Sequence, residues 1–182
     1  HRTGVTIADY STGKEIRQLP SYDSNVAALC FHPHAGQLAT GSAGGRLKLW
    51  DTVSWVDRQI GWEPLGIACL AYDPDAATIT AGGGSIAGGA VRSWDIATGQ
   101  PVWWRSGLDG PVQAVAASPD GEHVFGATKC VLACWDVTKS EHVWKQYKQV
   151  GSPRLTSPCL TVCDDGRTIA VGGSNGNIEL FS

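Results

Sequence analysis

The chain has 182 residues, of which 42% are hydrophobic and 17% are charged, and its formal net charge at pH 7 is −3. This apolar content can build a core, so a wholly disordered chain is excluded. The small charge without a basic run argues against nucleic acid as a partner, and no apolar stretch of about 18 residues exists, which argues against a membrane span.

The first predicted elements are two short strands in a fragment over residues 4–20. Val5–Asp9 is largely apolar and ends in aspartate, and the more polar stretch Ile16–Leu19 follows after a turn that contains Gly13. Short runs of this kind, separated by turn residues, are typical of β-strands.

A complete unit of four predicted strands then occupies residues 26–60. Its first strand is apolar and ends before Pro33, its second consists mainly of small residues and ends at Ser42, and its third ends in Trp50-Asp51. The fourth strand is more polar. Gly, Pro and Asp residues mark the turns, because they favour the backbone angles that tight turns require.

The same pattern recurs in residues 67–105 and 112–147, and an incomplete unit without a fourth strand occupies residues 157–182. The residues that anchor the third strands lie 42, 44, 41 and 46 positions apart; they are Ala8, Trp50, Trp94, Trp135 and Phe181. A period of this length is typical of a four-stranded propeller blade. No window shows a sustained 3.6-residue apolar period, so we predict no helix of consequence.

Three Trp-Asp dipeptides stand on this period, at Trp50, Trp94 and Trp135. With the two strands that precede each of them, the sequence resembles the WD-repeat β-propeller family over nearly its whole length. The resemblance implies an all-β propeller of four-stranded antiparallel blades, about four of them in a domain over residues 1–182. The family's usual Gly-His pair is replaced, for example by Ser21-Tyr22 and Trp62-Glu63. We therefore expect its buried Asp–His–Ser/Thr–Trp network to be missing in every blade.

The number of predicted strands limits the architecture. We count seventeen strands, and both the fragment at 4–20 and the incomplete unit at 157–182 contain a third strand. Closed propellers need whole blades, usually four to eight of them. We therefore expect this chain to be part of a larger propeller whose remaining blades come from the same full-length chain.

The cysteines give an indication of the cellular compartment. There are six cysteines, and all but Cys130 lie in apolar runs, where a thiol behaves as a small hydrophobe. A chain of this length needs no disulfides to hold a core, and no apolar signal core is visible. We therefore expect the thiols to be free and buried. We expect an intracellular location, which is cytoplasmic or, as alternatives, nuclear or ciliary. Three disulfides in a secreted protein are the alternative.

Several short motifs match catalytic or ligand-binding patterns, and each has a plainer structural interpretation. Most of them lack the further residues, the spacing or the structural context that the pattern requires. They are Gly172–Gly176, Gly82–Gly89, the pairs Cys130/Cys134 and Cys159/Cys163, and the pair His32/His34. Asp95–Trp103 fits the Asp-x-x-Thr-Gly-x-x-x-Trp spacing of quinoprotein propellers, so a PQQ-dependent dehydrogenase-like enzyme is the alternative function. The same spacing forms the ordinary turn between the third and fourth strands of WD repeats. We expect no catalytic residue, cofactor or metal.

The predicted function is that of a non-enzymatic protein–protein interaction scaffold within a larger multiprotein assembly. Candidate partner-binding residues flank the first strands or lie in the turns between second and third strands; they are Tyr22, Arg46, Trp62, Lys129 and Arg154. Loop aromatics and arginines are preferred contact residues. For Tyr22 and Trp62 the alternative is that they fill the space of the missing Gly-His pair. One of Trp103 and Trp104 must face away from the blade interior, into the gap between blades or toward a partner.

Overall fold

The computed structural model describes residues 4–20, 22, 24–138, 144–147, 158–173 and 178–181, with the backbone alone for 144–147. This part of the chain contains seventeen β-strands and no helix, so no helix within it could cross a membrane. The predicted all-β fold class is confirmed.

The strands form five antiparallel sheets, in which consecutive strands are neighbours. The N-terminal pair consists of β1 (Thr6–Ala8) and β2 (Glu15–Gln18). Sheet 1 contains β3 (Val26–Phe31), β4 (Gln37–Ser42), β5 (Arg46–Asp51) and β6 (Asp57–Trp62). Sheet 2 contains β7 (Cys69–Tyr72), β8 (Thr78–Ser85), β9 (Gly88–Asp95) and β10 (Pro101–Leu108). Sheet 3 contains β11 (Ala114–Ala117), β12 (His123–Ala127), β13 (Leu132–Asp136) and β14 (Trp144–Tyr147), and sheet 4 contains β15 (Cys159–Val162), β16 (Ile169–Gly172) and β17 (Ile178–Phe181).

The first strands of neighbouring sheets lie side by side: β3 packs against β7, β7 against β11, and β11 against β15. The fourth strand of each complete sheet lies at the opposite edge. Successive four-stranded sheets that meet along their first strands form a partial β-propeller. The predicted blade limits at 26–60, 67–105, 112–147 and 157–182 stay a proposal.

The core lies between the sheets, and the aromatic residue that ends each third strand fills the gap to the preceding sheet. Trp50 packs with Val5 and Leu19 of the N-terminal segment, and Trp94 packs with Leu47 and Leu49 of sheet 1. Trp135 packs against sheet 2 and Phe181 against sheet 3 in the same way. Because side chains alternate along a strand, each inner sheet buries apolar residues on both faces.

The aspartate of each Trp-Asp dipeptide closes the turn that follows. In each case the aspartate Oδ1 accepts a hydrogen bond from a backbone N–H. Asp51 accepts from Ser54 at 2.7 Å, Asp95 from Thr98 at 2.7 Å, and Asp136 from Thr138 at 3.0 Å. Hydrogen bonds of this kind are the ordinary function of aspartate in a turn. Hydrogen bonds that stabilise the charged form lower the pKa of two of these carboxyl groups. For Asp51 the main donor is the Ser54 N–H, and for Asp95 it is the Thr98 hydroxyl, followed by the Thr98 N–H.

The glycine-rich stretch 82–89 forms the hairpin of β8 and β9, with its turn at Ile86 and Ala87. The backbone of Gly83 approaches the preceding loop so closely that a Cβ atom would lie 1.8 Å from the Gly66 carbonyl oxygen. The hairpin also bonds to the loops on both sides: Gly84 N–H donates to Leu65 O, and Gly83 O accepts from the N–H of Val112. The glycines of this stretch therefore serve packing.

All six cysteines are free thiols. Cys134 is buried, and desolvation between sheets 2 and 3 raises the pKa of the Cys69 thiol to about 12. The expectation of burial is wrong for Cys159 and Cys163, which are exposed. Cys159 has the same strand position as Cys69, but no described residues cover its face of sheet 4.

Candidate functional site

Two kinds of connection share one end of the sheets. In a run of antiparallel strands, the link from a fourth strand to the next first strand lies at the same end as the turn between second and third strands. We call this end the upper face and the opposite end the lower face. The predicted partner-binding residues belong to the upper face.

Arg46 and Trp62 lie directly opposite each other at the upper ends of β5 and β6. The Trp62 side chain is 53% exposed, and its Nε1–H donates to the Gly44 carbonyl oxygen at 3.1 Å. Gly45 has φ +88°, and a Cβ atom there would lie 1.9 Å from the Glu63 carbonyl oxygen, so only glycine fits this turn. The turn thus holds an exposed indole beside an arginine.

Two further exposed apolar residues lie on the same upper face. Leu65 follows Trp62 in the loop to sheet 2, and its carbonyl oxygen accepts from Gly84 N–H at 3.2 Å. Ile86 at the tip of that hairpin is fully exposed. The sequence feature that could have identified Ile86 is a branched apolar residue in a tight hairpin turn. We call Arg46, Trp62, Leu65 and Ile86 the upper patch.

Tyr22 is buried and therefore fills the protein interior, the alternative that the sequence left open. Its hydroxyl lies 3.2 Å from the Thr40 carbonyl oxygen and also contacts the Thr40 hydroxyl. That hydroxyl in turn accepts a hydrogen bond from Trp50 Nε1 at 2.8 Å. Sheet 1 thus lacks the usual histidine and instead has a polar network of Tyr22, Thr40 and Trp50, in which Tyr22 takes the place of that histidine.

A cation on β5 reinforces this network. Lys48 Nζ lies 5.0 Å from the centre of the Tyr22 ring and 5.3 Å from that of Trp50, and 2.8 Å from a carboxylate oxygen of Asp57. Contacts between a cation and an aromatic face are attractive. The lysine therefore ties two buried rings to the outer strand β6.

Sheet 2 uses an ion pair at the equivalent place. Glu63 is buried, and its Oε2 lies 3.2 Å from Arg92 Nε. The Arg92 guanidinium also lies over the rings of Trp94 and Trp104, at 5.9 and 6.0 Å. Trp62 thus sits at the surface while the next residue, Glu63, occupies the interior.

The other two predicted residues are not part of the upper patch. Lys129 is exposed in the β12–β13 turn, on the upper face of sheet 3. Arg154 lies outside the described residues. The structure therefore joins Arg46 to Trp62, places Lys129 on another sheet of the same face, and removes Tyr22 from the surface.

Comparison with known proteins agrees with this geometry. The sequence profile described as "WD domain, G-beta repeat" matches residues 13–51. The periodic tryptophan protein 2 homolog of Neurospora crassa is 29% identical over 125 residues, which is 66% of this chain and 13% of that protein. The guanine nucleotide-binding protein subunit beta of Arabidopsis thaliana is 26% identical over 151 residues, 79% of this chain and 39% of that protein. The chain thus contains a match to a WD repeat and resembles proteins of the WD-repeat β-propeller family.

A solved structure supports the fold of this WD-repeat protein. The computationally designed Ika8 protein superposes with a TM-score of 0.77 at 20% identity, covering 99% of this chain and 52% of that chain. The WD-repeat chain thus spans between about a tenth and about half of the proteins it was compared with.

The paired tryptophans of β10 divide between two environments in the WD-repeat chain. Trp103 is half-buried in the gap toward sheet 3, with its ring centre 6.4 Å from that of Trp135. Trp104 is 54% exposed on the other face of the sheet, next to Arg92. The gap between blades therefore holds one indole, and the outer rim presents the other.

The remaining motifs of the WD-repeat chain have structural functions where the structure describes them. The Asp95 carboxylate is engaged by the Thr98 hydroxyl and N–H, and Gly99 supplies the positive φ of that turn. His32 Nδ1 accepts from the N–H groups of His34 and Ala35. Most of Gly172–Gly176 lies outside the described residues.

One group in the described chain could bring three metal-ligand atoms within 4.8 Å of one another: Asp120, Glu122 and His123. The two acidic residues are exposed. Exposed groups of this kind are common without an ion, so we assign no metal to it.

Proposed function

We propose that this WD-repeat chain is a non-enzymatic scaffold that binds other proteins of a multiprotein assembly through the upper patch. The observation that supports this most is the exposed indole of Trp62, held by Gly44 beside Arg46. Tryptophan and arginine are the residue types enriched among interface hot spots. Since strand ends position both residues, a partner would meet a rigid surface.

The neighbouring apolar residues strengthen the proposal. Leu65 and Ile86 extend the exposed surface from sheet 1 to the hairpin of sheet 2. Contiguous exposed apolar surface with a polar border is typical of a protein-binding site. Lys129, on the same face of sheet 3, would add a second charged contact for a partner large enough to reach it.

The relatives support a partner-binding role in general terms. The Arabidopsis relative is by name a subunit, and a subunit is part of an assembly. We propose an intracellular location for the same kind of role. The motifs that suggested quinoprotein chemistry are used in turns, so the scaffold is the function that we propose.

The test compares two tryptophans of equal exposure. Trp62→Ala removes the hot spot of the upper patch, and Trp104→Ala removes an indole of similar exposure from the outer rim. Affinity capture from cells followed by quantitative mass spectrometry should show one set of proteins that Trp62→Ala depletes by about tenfold or more. Trp104→Ala should retain that set. Equal retention by both variants, with unchanged melting temperatures, would contradict the proposal.

A further inference from the structure

The first strands of the four sheets line a groove on the concave side of the molecule. Its volume is about 410 Å³, and its apolar lining includes Phe31, Leu70, Tyr72, Val115, Ala117 and Val162. Phe31 is 63% exposed. The groove is separate from the upper patch, and none of the motifs discussed above uses it.

The lower end of the groove is flanked by an acidic border of turns, of which Asp73 is part of the groove lining. The turns between first and second strands open there, and in sheets 2, 3 and 4 each turn carries two carboxylates: Asp73 and Asp75, Asp120 and Glu122, and Asp164 and Asp165. Against these six acids, Arg167 is the single lysine or arginine in the same three turns. Neither of the two ion pairs found between described side chains involves this border.

Hydrogen bonds stabilise the charged form of three of these carboxylates. The Ser118 hydroxyl lowers the pKa of Asp120, and backbone N–H groups of Ala77 and Arg167 lower those of Asp75 and Asp165. These carboxylates are therefore ionised at neutral pH. Desolvation raises the pKa of Asp73.

The groove wall also offers an unused hydrogen-bonding group. The Tyr72 hydroxyl oxygen is buried and has no hydrogen-bond partner among the described residues. Desolvation raises the pKa of this phenol, so it is a neutral donor at physiological pH. A buried donor without an acceptor is costly.

We propose that this groove binds a basic peptide segment with interspersed apolar side chains. The apolar side chains would pack on Phe31 and Leu70, and the lysines or arginines would lie against the acidic turns. The first strands are edge strands, so their free backbone groups can also pair with an extended peptide.

The test uses labelled twelve-residue peptides in fluorescence polarisation. The protein is the 182-residue chain with Ile178→Lys and Leu180→Lys, which place charge on the exposed apolar face of sheet 4 and oppose self-association. An alternating Lys-Leu peptide is the probe, and Glu-Leu and Lys-Ser peptides are its controls for charge and for apolar content. The Lys-Leu peptide should bind with a Kd below about 100 μM at low salt. Its affinity should fall as salt rises, because part of the attraction is electrostatic.

Variants locate the binding. Glu122→Gln with Asp164→Asn should weaken binding about tenfold, and Phe31→Ser about fivefold, since each removes one kind of contact. Asp109→Asn and Ile86→Ser make matched changes on the upper face and should stay within about twofold. Trp62→Ala should leave peptide binding unchanged, so this proposal and the proposed function fail separately.

Four outcomes would overturn the proposal. The first is that the Lys-Leu peptide shows no saturable binding. The second is that the Glu-Leu peptide binds as tightly as the Lys-Leu peptide. The third is that the groove variants and their upper-face controls change the affinity equally. The fourth is a dimer in light scattering that Phe31→Ser dissociates, because the groove would then hold a second copy of this chain. Phe31 and Asp164 are exposed, so unchanged melting temperatures will verify that the variants are folded.

Discussion

Single side chains at one position decide how sheets 1 and 2 replace the missing histidine. In sheet 1, Tyr22 reaches Thr40 and through it Trp50, whereas in sheet 2 the buried Glu63 pairs with Arg92. Both solutions place a polar group of the inter-sheet loop against the third strand. The absence of histidine was evident from the sequence. The replacements were not, because a tyrosine in a loop has the same signature whether it points inward or outward.

The Tyr22 hydroxyl should therefore contribute to stability. Tyr22→Phe keeps the ring but leaves the buried hydroxyl of Thr40 with one partner fewer. We expect a loss of about 1–2 kcal/mol in the free energy of unfolding, measured by urea denaturation. Tyr10→Phe is the control, since the Tyr10 side chain is fully exposed. Equal stabilities of the two variants would show that the Tyr22–Thr40 contact adds nothing.

One turn carboxylate should make stability depend on pH. Hydrogen bonds from Ser11 and Thr12 lower the pKa of Asp9 from 3.8 to about 2. Because the pKa is lower in the folded state, the stabilisation is present above pH 3.8 and is lost as pH falls toward 2. Asp9→Asn should remove this dependence.

Urea denaturation between pH 2 and 6 measures this effect. The stability difference between wild type and Asp9→Asn should shrink as pH falls from about 4 to about 2. Thr12→Val removes one donor to Asp9 and should give an intermediate pH dependence. Parallel pH profiles for wild type and Asp9→Asn would argue against this role of the carboxylate.

At the scale of the element, strands and turns followed from the sequence because their signals are local. Proline, glycine and aspartate in the turns, and an aromatic residue at the end of each third strand, were enough to predict all seventeen strands. The burial of Trp103 and the exposure of Trp104 could not be predicted, because alternation requires opposite faces without saying which face a neighbour covers. The exposed Leu65 and the groove also depend on how sheets meet.

The gap between sheets 3 and 4 is incompletely filled. Phe181 stands where the earlier sheets have tryptophan, and a cavity of about 190 Å³ lined by Phe125, Leu132 and Cys134 lies beside it. Phe181→Trp should fill part of this space and raise the free energy of unfolding by about 1 kcal/mol. The reverse change Trp135→Phe should cost about 1–2 kcal/mol. Destabilisation by Phe181→Trp would mean that the cavity cannot accept an indole.

At the scale of the whole molecule, each blade depends on its neighbours. Leu47 and Leu49 on β5 are buried because sheet 2 covers them. The equivalent residues of sheet 4, Ile178 and Leu180, are 76% and 69% exposed. Repeats that stack in this way bury their apolar faces only against a next repeat. An apolar sheet face without a cover is a site of association.

We therefore expect residues 1–182, expressed alone, to self-associate through this face of sheet 4. Replacing Ile178 and Leu180 together by lysine should reduce the association, because charge on the face opposes its burial. Ile86→Lys adds the same charge at an exposed position elsewhere and should leave association unchanged. Size-exclusion chromatography with light scattering measures the mass of all three proteins. A monodisperse wild-type monomer of 19.2 kDa with a cooperative melt would refute the prediction, since the exposed leucine and isoleucine would then be tolerated in water.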